Sequence, residues 1–471
     1  MNIEPPKVII LCPMHPTSWS WFLKFYKILE ANELNPILFN DTGYKVPQGY
    51  SQVIMNKSIK TSFTSLEVFY SERSNLFKLI YRKIRLIVNK LKSNILSPNK
   101  IGKSKDKKIK QWILDQKTRE GEIIKLINNH KPKAFFLVGD RNGRYVPAII
   151  KVAPEKKIKL IIPPIAYVAS KHNLAKKTFR FNDPDHILNE KSDAYIKENF
   201  PNQYYKDPRS GKCISFFKSW EIKARHKNNN LVKNPWIIGS SDVVTICVNS
   251  QMEKDRLIKS KVNKENIIIA GSIEYDSIYI NFSKRSSIKK NVYKKYSLDK
   301  RKKLIILGLP VMWEHGLGSR EDTLKIYDDY CKIAKKTNYN MLISLHPKCK
   351  KYNYSKFLKR QGIRVFSESL SDVISIADLY VTGQGSNTGF WSIVCEVPLV
   401  ISDYYGMNYN MYNRFKEVKV SKTYNDFKDT ILNISSNSEL RNLIRKDFRK
   451  SKYLISRFDG KNQSRIIRQI C

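Results

Sequence analysis

The chain has 471 residues, with 86 Lys and Arg against 42 Asp and Glu, a formal net charge of +44 at pH 7. Hydrophobic residues make up 41% and charged residues 27%, which excludes an intrinsically disordered chain and allows more than one buried core. No run approaches the roughly 18 apolar residues of a membrane span, and the seven Cys form no CxxC pair, which argues against a zinc site or disulfide framework.

The charge excess favours polyanionic partners, phosphorylated ligands among them. The start, MNIEPPKVIILCP, reads as a strand and not as a signal peptide, because no basic segment precedes its apolar run. A cytoplasmic setting is expected, with any membrane contact confined to the surface.

In chain order, KVIILC (7–12) predicts a buried parallel strand, WSWFLKFYKILEAN a helix and PILFN a second strand. Residues 75–92 have helical apolar spacing with Lys and Arg interleaved. They belong to a basic insertion, about 73–117, whose fourteen Lys or Arg face only Asp106 and Asp115. Such a helix can lie on an anionic membrane surface. Residues 97–111 read as a polar loop, followed by a helix over about 111–129. Strands follow at 133–139 and 159–165. Residues 170–235 show no clear pattern.

Further strands are expected at 240–250 and 265–276. Residues 280–302 are basic and poor in apolar runs, and a domain boundary is placed there. A second βα series then begins, with strands at 303–310, 340–347, 363–368, 378–383 and 398–402, and final helices from about 424. The terminal SRIIRQIC is expected to return onto the first domain. The predicted fold class is α/β with two Rossmann-like doubly wound domains, 1–290 and 291–471.

In doubly wound sheets ligands sit beyond the carboxyl ends of strands. The residues found there are His15 after the first strand, Asp140 and Arg141 after 133–139, and Glu314, His315 and Gly316 after 303–308. His346 and Lys348 follow 340–345, and Gly385, Ser386, Asn387 and Thr388 follow 378–382. The stretch GQGSNTG is the most informative. Its glycines permit close backbone approach, and Ser386 and Asn387 are placed to cap a helix whose free N–H groups can hold a phosphate without a metal. No Gly-Lys-Ser/Thr follows, so it is not a Walker A loop. His15 or Asp140 is placed to act as a general base, and Arg141 to contact an anionic group.

The ordered set of motifs resembles the GT-B fold group of nucleotide-sugar enzymes. ADLYVTGQGSNTGFWSIVCEVPLVIS is similar to that group's late donor-site segment, and AGSIEYDSIY to the segment that closes its first domain. KPKAFFLVGDRNGRYVPAIIKVA is similar to a segment of the UDP-N-acetylglucosamine 2-epimerase family. That family's Arg-containing loop after the first strand is replaced here by CPMHPTS, so its catalytic residues do not carry over. His346-Pro347 with Ser386-Asn387-Thr388 resembles the His-Pro and Ser-Ser/Thr pair of bacterial sialyl- and Kdo-transferases, with Asn387 interrupting the second motif. CDP-glycerol glycerophosphotransferases share the same arrangement.

The resemblance implies two domains facing a central cleft, with the donor held by the C-terminal one. It implies inverting, metal-independent transfer of a sugar to a surface-polysaccharide or lipid-linked glycan acceptor. The donor stays open between CMP- and UDP-linked sugars, and no cofactor is expected. Nucleic acid is not an expected partner, because no helix-turn-helix, RNA-recognition or zinc pattern is present.

Overall fold

The computed structural model describes residues 7–13, 18–55, 98–165, 183–208, 210–313, 318–346, 349, 354–404, 406, 408 and 411–470. The basic helix 75–92, with the membrane contact expected of it, lies outside these residues. So do His15, Glu314, His315, Gly316 and Lys348. The described residues fall into two compact units, one taking those up to Ile162 and those from 170 to Thr245, the other taking 163–169 and those from Ile246 onward.

The first unit opens with β1 (Val8–Cys12), a run of β-branched and apolar side chains of which Ile9 to Cys12 are fully buried. Uniformly apolar strands of this kind are covered on both faces, as parallel sheets require. The helix Trp19–Glu30 buries Trp19, Trp21, Phe22, Phe25, Tyr26 and Leu29, the stripe expected of an amphipathic helix. Then come β2 (Asn35–Asn40), β3 (Gln52–Ile54), the helix Pro98–His130, β4 (Ala134–Leu137), the helix Val146–Glu155 and β5 (Lys159–Ile162). The sheet order in this unit is β3-β2-β1-β4-β5, all parallel. This is a doubly wound order with β1 central.

The polar loop expected over 97–111 is instead the beginning of the helix Pro98–His130. Pro98 suits a first helical position, and the Lys-rich stretch is made of good helix formers. Ile109 and Trp112 bury on one side of it. Within the stretch that showed no pattern, β6 (Tyr204–Lys206) and β7 (Cys213–Ser215) form a short antiparallel pair. Beside it Leu188, Ile196, Phe216, Phe217, Ile222 and Trp236 make a small aromatic core.

From Ile246 onward the second unit takes in β8 (Thr245–Val248), all but its first residue, and β9 (Ile267–Ile269), a parallel pair in which Ile246 to Val248 face Ile267 to Ile269. The basic stretch 280–302 is largely helical, covered by Ile273–Ser283 and Arg285–Lys295. Ile278, Val292 and Tyr293 bury while the lysines stay out, so a narrow apolar stripe suffices.

A six-stranded parallel sheet follows. Its strands are β10 (Leu304–Gly308), β11 (Asn340–Ser344), β12 (Arg364–Val365), β13 (Leu379–Gly383), β14 (Leu399–Ser402) and β15 (Lys419–Ser421). The order is β12-β11-β10-β13-β14-β15, again doubly wound. Its core includes Leu304 to Leu307, Val381 and Leu399 to Ile401, all fully buried. Each such side chain contributes about 1.5–3 kcal/mol on burial.

The C-terminal stretch folds back onto the helix Ile273–Ser283, which lies within the span 1–290 expected as the first domain and within the second compact unit. Asp276 accepts from the backbone N–H of Asn462 at 3.0 Å and of Gln463 at 2.7 Å. The Asn462 amide donates to the Ser272 carbonyl at 3.2 Å. Gly271 has φ +79°, and a Cβ there would overlap the Asn462 side chain, so the close approach requires glycine.

Candidate functional site

Register decides where the second sheet presents its chemistry. Gly308 stands opposite Ser344 on β11 and opposite Thr382 on β13, and Gly383 stands opposite Ser402 on β14. The four strands therefore end together. The segments that follow, with His346 after β11 and Gln384 to Asn387 after β13, leave from one edge. Strands β10 and β13 are where the chain order reverses, the usual ligand-binding position of such sheets.

The turn after β13 is tied down from several sides. The Tyr380 phenol and the Thr388 hydroxyl are 2.6 Å apart, and the Ser386 hydroxyl is 2.7 Å from that of Thr388. Tyr412 donates its hydroxyl to the Ser386 carbonyl. The Gln384 N–H donates to Ser402 O at 2.9 Å and the Thr382 hydroxyl to Gly308 O at 3.0 Å. Gly385 has φ 88°, a left-handed conformation that glycine adopts without strain. At Gly389 a Cβ would stand 2.8 Å from Tyr412 Cζ, so the helix start approaches Tyr412 too closely for any side chain. Gly385 to Thr388 are half-buried.

One expectation about this turn is corrected. Asn387 occupies the N-cap of the helix Thr388–Val394, but no side chain caps that helix. The backbone of Asn387 is already helical, φ −69° and ψ −17°, whereas side-chain capping needs an extended residue there. The Ser386 hydroxyl is turned to Thr388 instead.

Asn387, Phe390 and Trp391 line an open cleft of about 610 Å³ with Asn249, Ser272, Glu274 and Tyr275. None of these last four was singled out in the sequence, although Asn249 follows β8 and Ser272 follows β9 at the same kind of strand end. Ser250 accepts from the Glu253 N–H at 3.4 Å, and Glu253 accepts from the Asn249 N–H at 2.8 Å. The pattern Ser-x-x-Glu marks such a helix start. Burial pushes the Glu253 carboxyl up, while the Asn249 N–H opposes it. Burial, with the Glu253 and Glu274 charges, raises the Tyr275 phenol well above its usual value.

The other expected residues are placed as follows. His346 is exposed, and its carbonyl accepts from the Cys349 N–H at 2.8 Å. Asp140 is 1% exposed, and its two oxygens accept from the N–H groups of Gly239 at 3.1 Å and Ser241 at 2.9 Å. Arg141 donates to Pro235 O at 2.7 Å, and its guanidinium lies over the Phe216 ring. Asp140 and Arg141 thus anchor the 234–241 loop. Burial raises the Asp140 carboxyl and lowers the Arg141 guanidinium to about 10, each charge partly offsetting the effect on the other. This geometry corrects the expectation that Asp140 is a base open to an acceptor and Arg141 an anion contact. Among the described residues no cluster of His, Cys, Asp and Glu suits a metal ion, and no helix is long and apolar enough to cross a membrane.

No protein-family model matches the chain, and no curated protein does. Solved structures do. UDP-GlcNAc 2-epimerase from Neisseria meningitidis, bound to UDP-GlcNAc, is similar over 98% of this chain and 99% of its own, with 12% identity and a TM-score of 0.50. The wall teichoic acid polymerase TagF is similar over 100% of this chain and 89% of its own, with 10% identity and a TM-score of 0.51. At these identities the likeness is one of fold: α/β with two Rossmann-like sheets, as in the GT-B fold group.

Proposed function

We propose that the chain is a glycosyltransferase that uses a CMP- or UDP-linked sugar and transfers it, with inversion and without a metal, to a surface-polysaccharide or lipid-linked glycan. The observation that carries this reading is the turn 384–388, held rigidly at the reversal point of the second sheet. Its half-buried glycine and hydroxyl-bearing residues offer backbone N–H groups and hydroxyls to a phosphate. The similar structures include a UDP-GlcNAc 2-epimerase bound to UDP-GlcNAc and a wall teichoic acid polymerase, which supports a nucleotide-linked donor and a polymer product. The CPMHPTS loop favours transfer over epimerisation.

In the proposed step the acceptor oxygen forms a bond to the anomeric carbon as the bond from that carbon to the nucleotide phosphate breaks. The phosphate leaves carrying the electron pair. It is stabilised by the turn, with His346 and Lys348 adding positive charge or a proton. Preorganised donors at developing charge usually supply the largest part of such catalysis. The acceptor proton goes to a general base. Asp140 is committed to its loop, so that role is assigned to His15.

A thermal-shift series with UDP, GDP, CMP and CDP tests the reading. A rise in melting temperature with a uridine or cytidine nucleotide supports it, and no response to any of the four removes it.

A further inference from the structure

The second unit carries a surface that the transfer reaction does not use. Five large apolar side chains are exposed on two neighbouring elements: Tyr279 (38%) and Ile280 (49%) on the helix Ile273–Ser283, and Leu443 (53%), Tyr453 (64%) and Leu454 (39%) along the helix Ser438–Ser451 and the turn after it. The two elements touch. The Tyr279 and Phe282 rings meet Phe458 with centroids 5.4 Å and 5.8 Å apart, and Lys452 lies over both Phe282 and Phe458. Leu443 and Lys450, seven residues apart, share one face of the helix Ser438–Ser451.

The exposed charge around these side chains is mainly positive, with Glu439 the exposed acid on the helix Ser438–Ser451. Lys284, Arg285, Lys446, Arg449, Lys450 and Arg457 are exposed. Three neighbouring acids are already paired. Glu396 is bonded by Arg449 and Lys452, Asp378 is approached by Lys289 and Arg445, and Asp459 pairs with Arg465.

We propose that this surface docks the protein on an anionic lipid bilayer. Exposed aliphatic and tyrosine side chains enter the headgroup boundary, and the lysines and arginines ringing them meet the lipid phosphates. An apolar patch of this kind on a water-facing helix marks an interaction site. A purely electrostatic partner, such as a nucleic acid, has no use for Leu443, Leu454 and Ile280. The surface differs from residues 75–92, and the inference does not rest on the proposed reaction.

The test is co-sedimentation of the full chain with vesicles of phosphatidylcholine alone and of phosphatidylcholine with phosphatidylglycerol. Two variants accompany the wild type: Leu443→Ser with Tyr453→Ser and Leu454→Ser, and Lys446→Gln with Lys450→Gln and Arg457→Gln. Unchanged melting temperatures establish that both fold. The wild type should pellet with the anionic vesicles only, and each variant should bind them about tenfold more weakly. Wild-type protein that stays in the supernatant overturns the proposal. So does wild-type binding to both vesicle types alike, or binding of both variants at the wild-type level, which would move docking to another surface. Loss of heparin binding in the variants with vesicle binding unchanged would assign the surface to a soluble polyanion, and would also overturn it.

Discussion

The Tyr380 phenol, rooted in β13, meets the hydroxyl of Thr388 across the turn at 2.6 Å, so the strand and the helix after it are joined at the point where the proposed phosphate would sit. Thr388→Val removes that bond and the one to Ser386 without changing shape. Nucleotide affinity measured by calorimetry should fall about tenfold, the equivalent of roughly 1.4 kcal/mol, while the melting temperature changes little. Unaltered affinity would separate the hydroxyl network from binding.

Gly389 gives a different kind of test, because its cost is steric. A methyl group there meets Tyr412, and the Tyr412 hydroxyl bonds the Ser386 carbonyl. Gly389→Ala should therefore destabilise the fold by about 1–3 kcal/mol in urea and weaken nucleotide binding as well. Gly389→Ala combined with Tyr412→Phe, which deletes the hydroxyl nearest the new methyl group, should recover part of the stability but not the binding.

Much of this was readable in the sequence, for a simple reason. Buried parallel strands are uniform apolar runs, so VIILC, LIILG and LYVTG announce themselves. Ligand-facing residues follow their carboxyl ends. What stayed hidden depends on contacts between distant segments or on backbone angles. Asp140 looked available as a base because nothing near it in sequence reveals Gly239 and Ser241, the residues that occupy its oxygens. The capping role given to Asn387 failed on its φ and ψ, which composition does not show. Asn249 and Ser272 were missed although the strand-end rule, extended to β8 and β9, points to both.

The C-terminal helix depends on one carboxylate. Asp276→Ala leaves the N–H groups of Asn462 and Gln463 without their acceptor, and Asn462 is fully buried. The expected loss is about 2–4 kcal/mol. Proteolysis should then release a C-terminal fragment from the variant at temperatures where the wild type stays intact. Equal resistance would show that apolar packing alone holds the helix.

Asp41 makes stability depend on pH. Burial pushes its carboxyl up to about 6, against the pull of Arg144 and Arg119. A folded pKa above the unfolded value of about 4 means a stabilising contribution that is present below pH ~4 and lost as pH rises through ~6. Asp41→Asn should therefore raise stability by up to about 2 kcal/mol at pH 8 and by much less at pH 4. A gain that is the same at both pH values would contradict the assignment.

His346 is exposed at the same sheet edge as the turn. His346→Ala should lower transfer by about a hundredfold or more, the range of a lost proton donor, with the melting temperature unchanged. Near-normal turnover would take His346 out of the reaction.

The central claim is that a nucleotide phosphate rests on the turn from Gln384 to Thr388. Backbone hydrogen exchange of the segment 384–391, followed by mass spectrometry with and without saturating UDP or CMP, tests it most directly. The account predicts that one of the two slows exchange in this segment more than in the rest of the second sheet. Exchange there unchanged by either nucleotide, with protection appearing elsewhere in the chain, would contradict it.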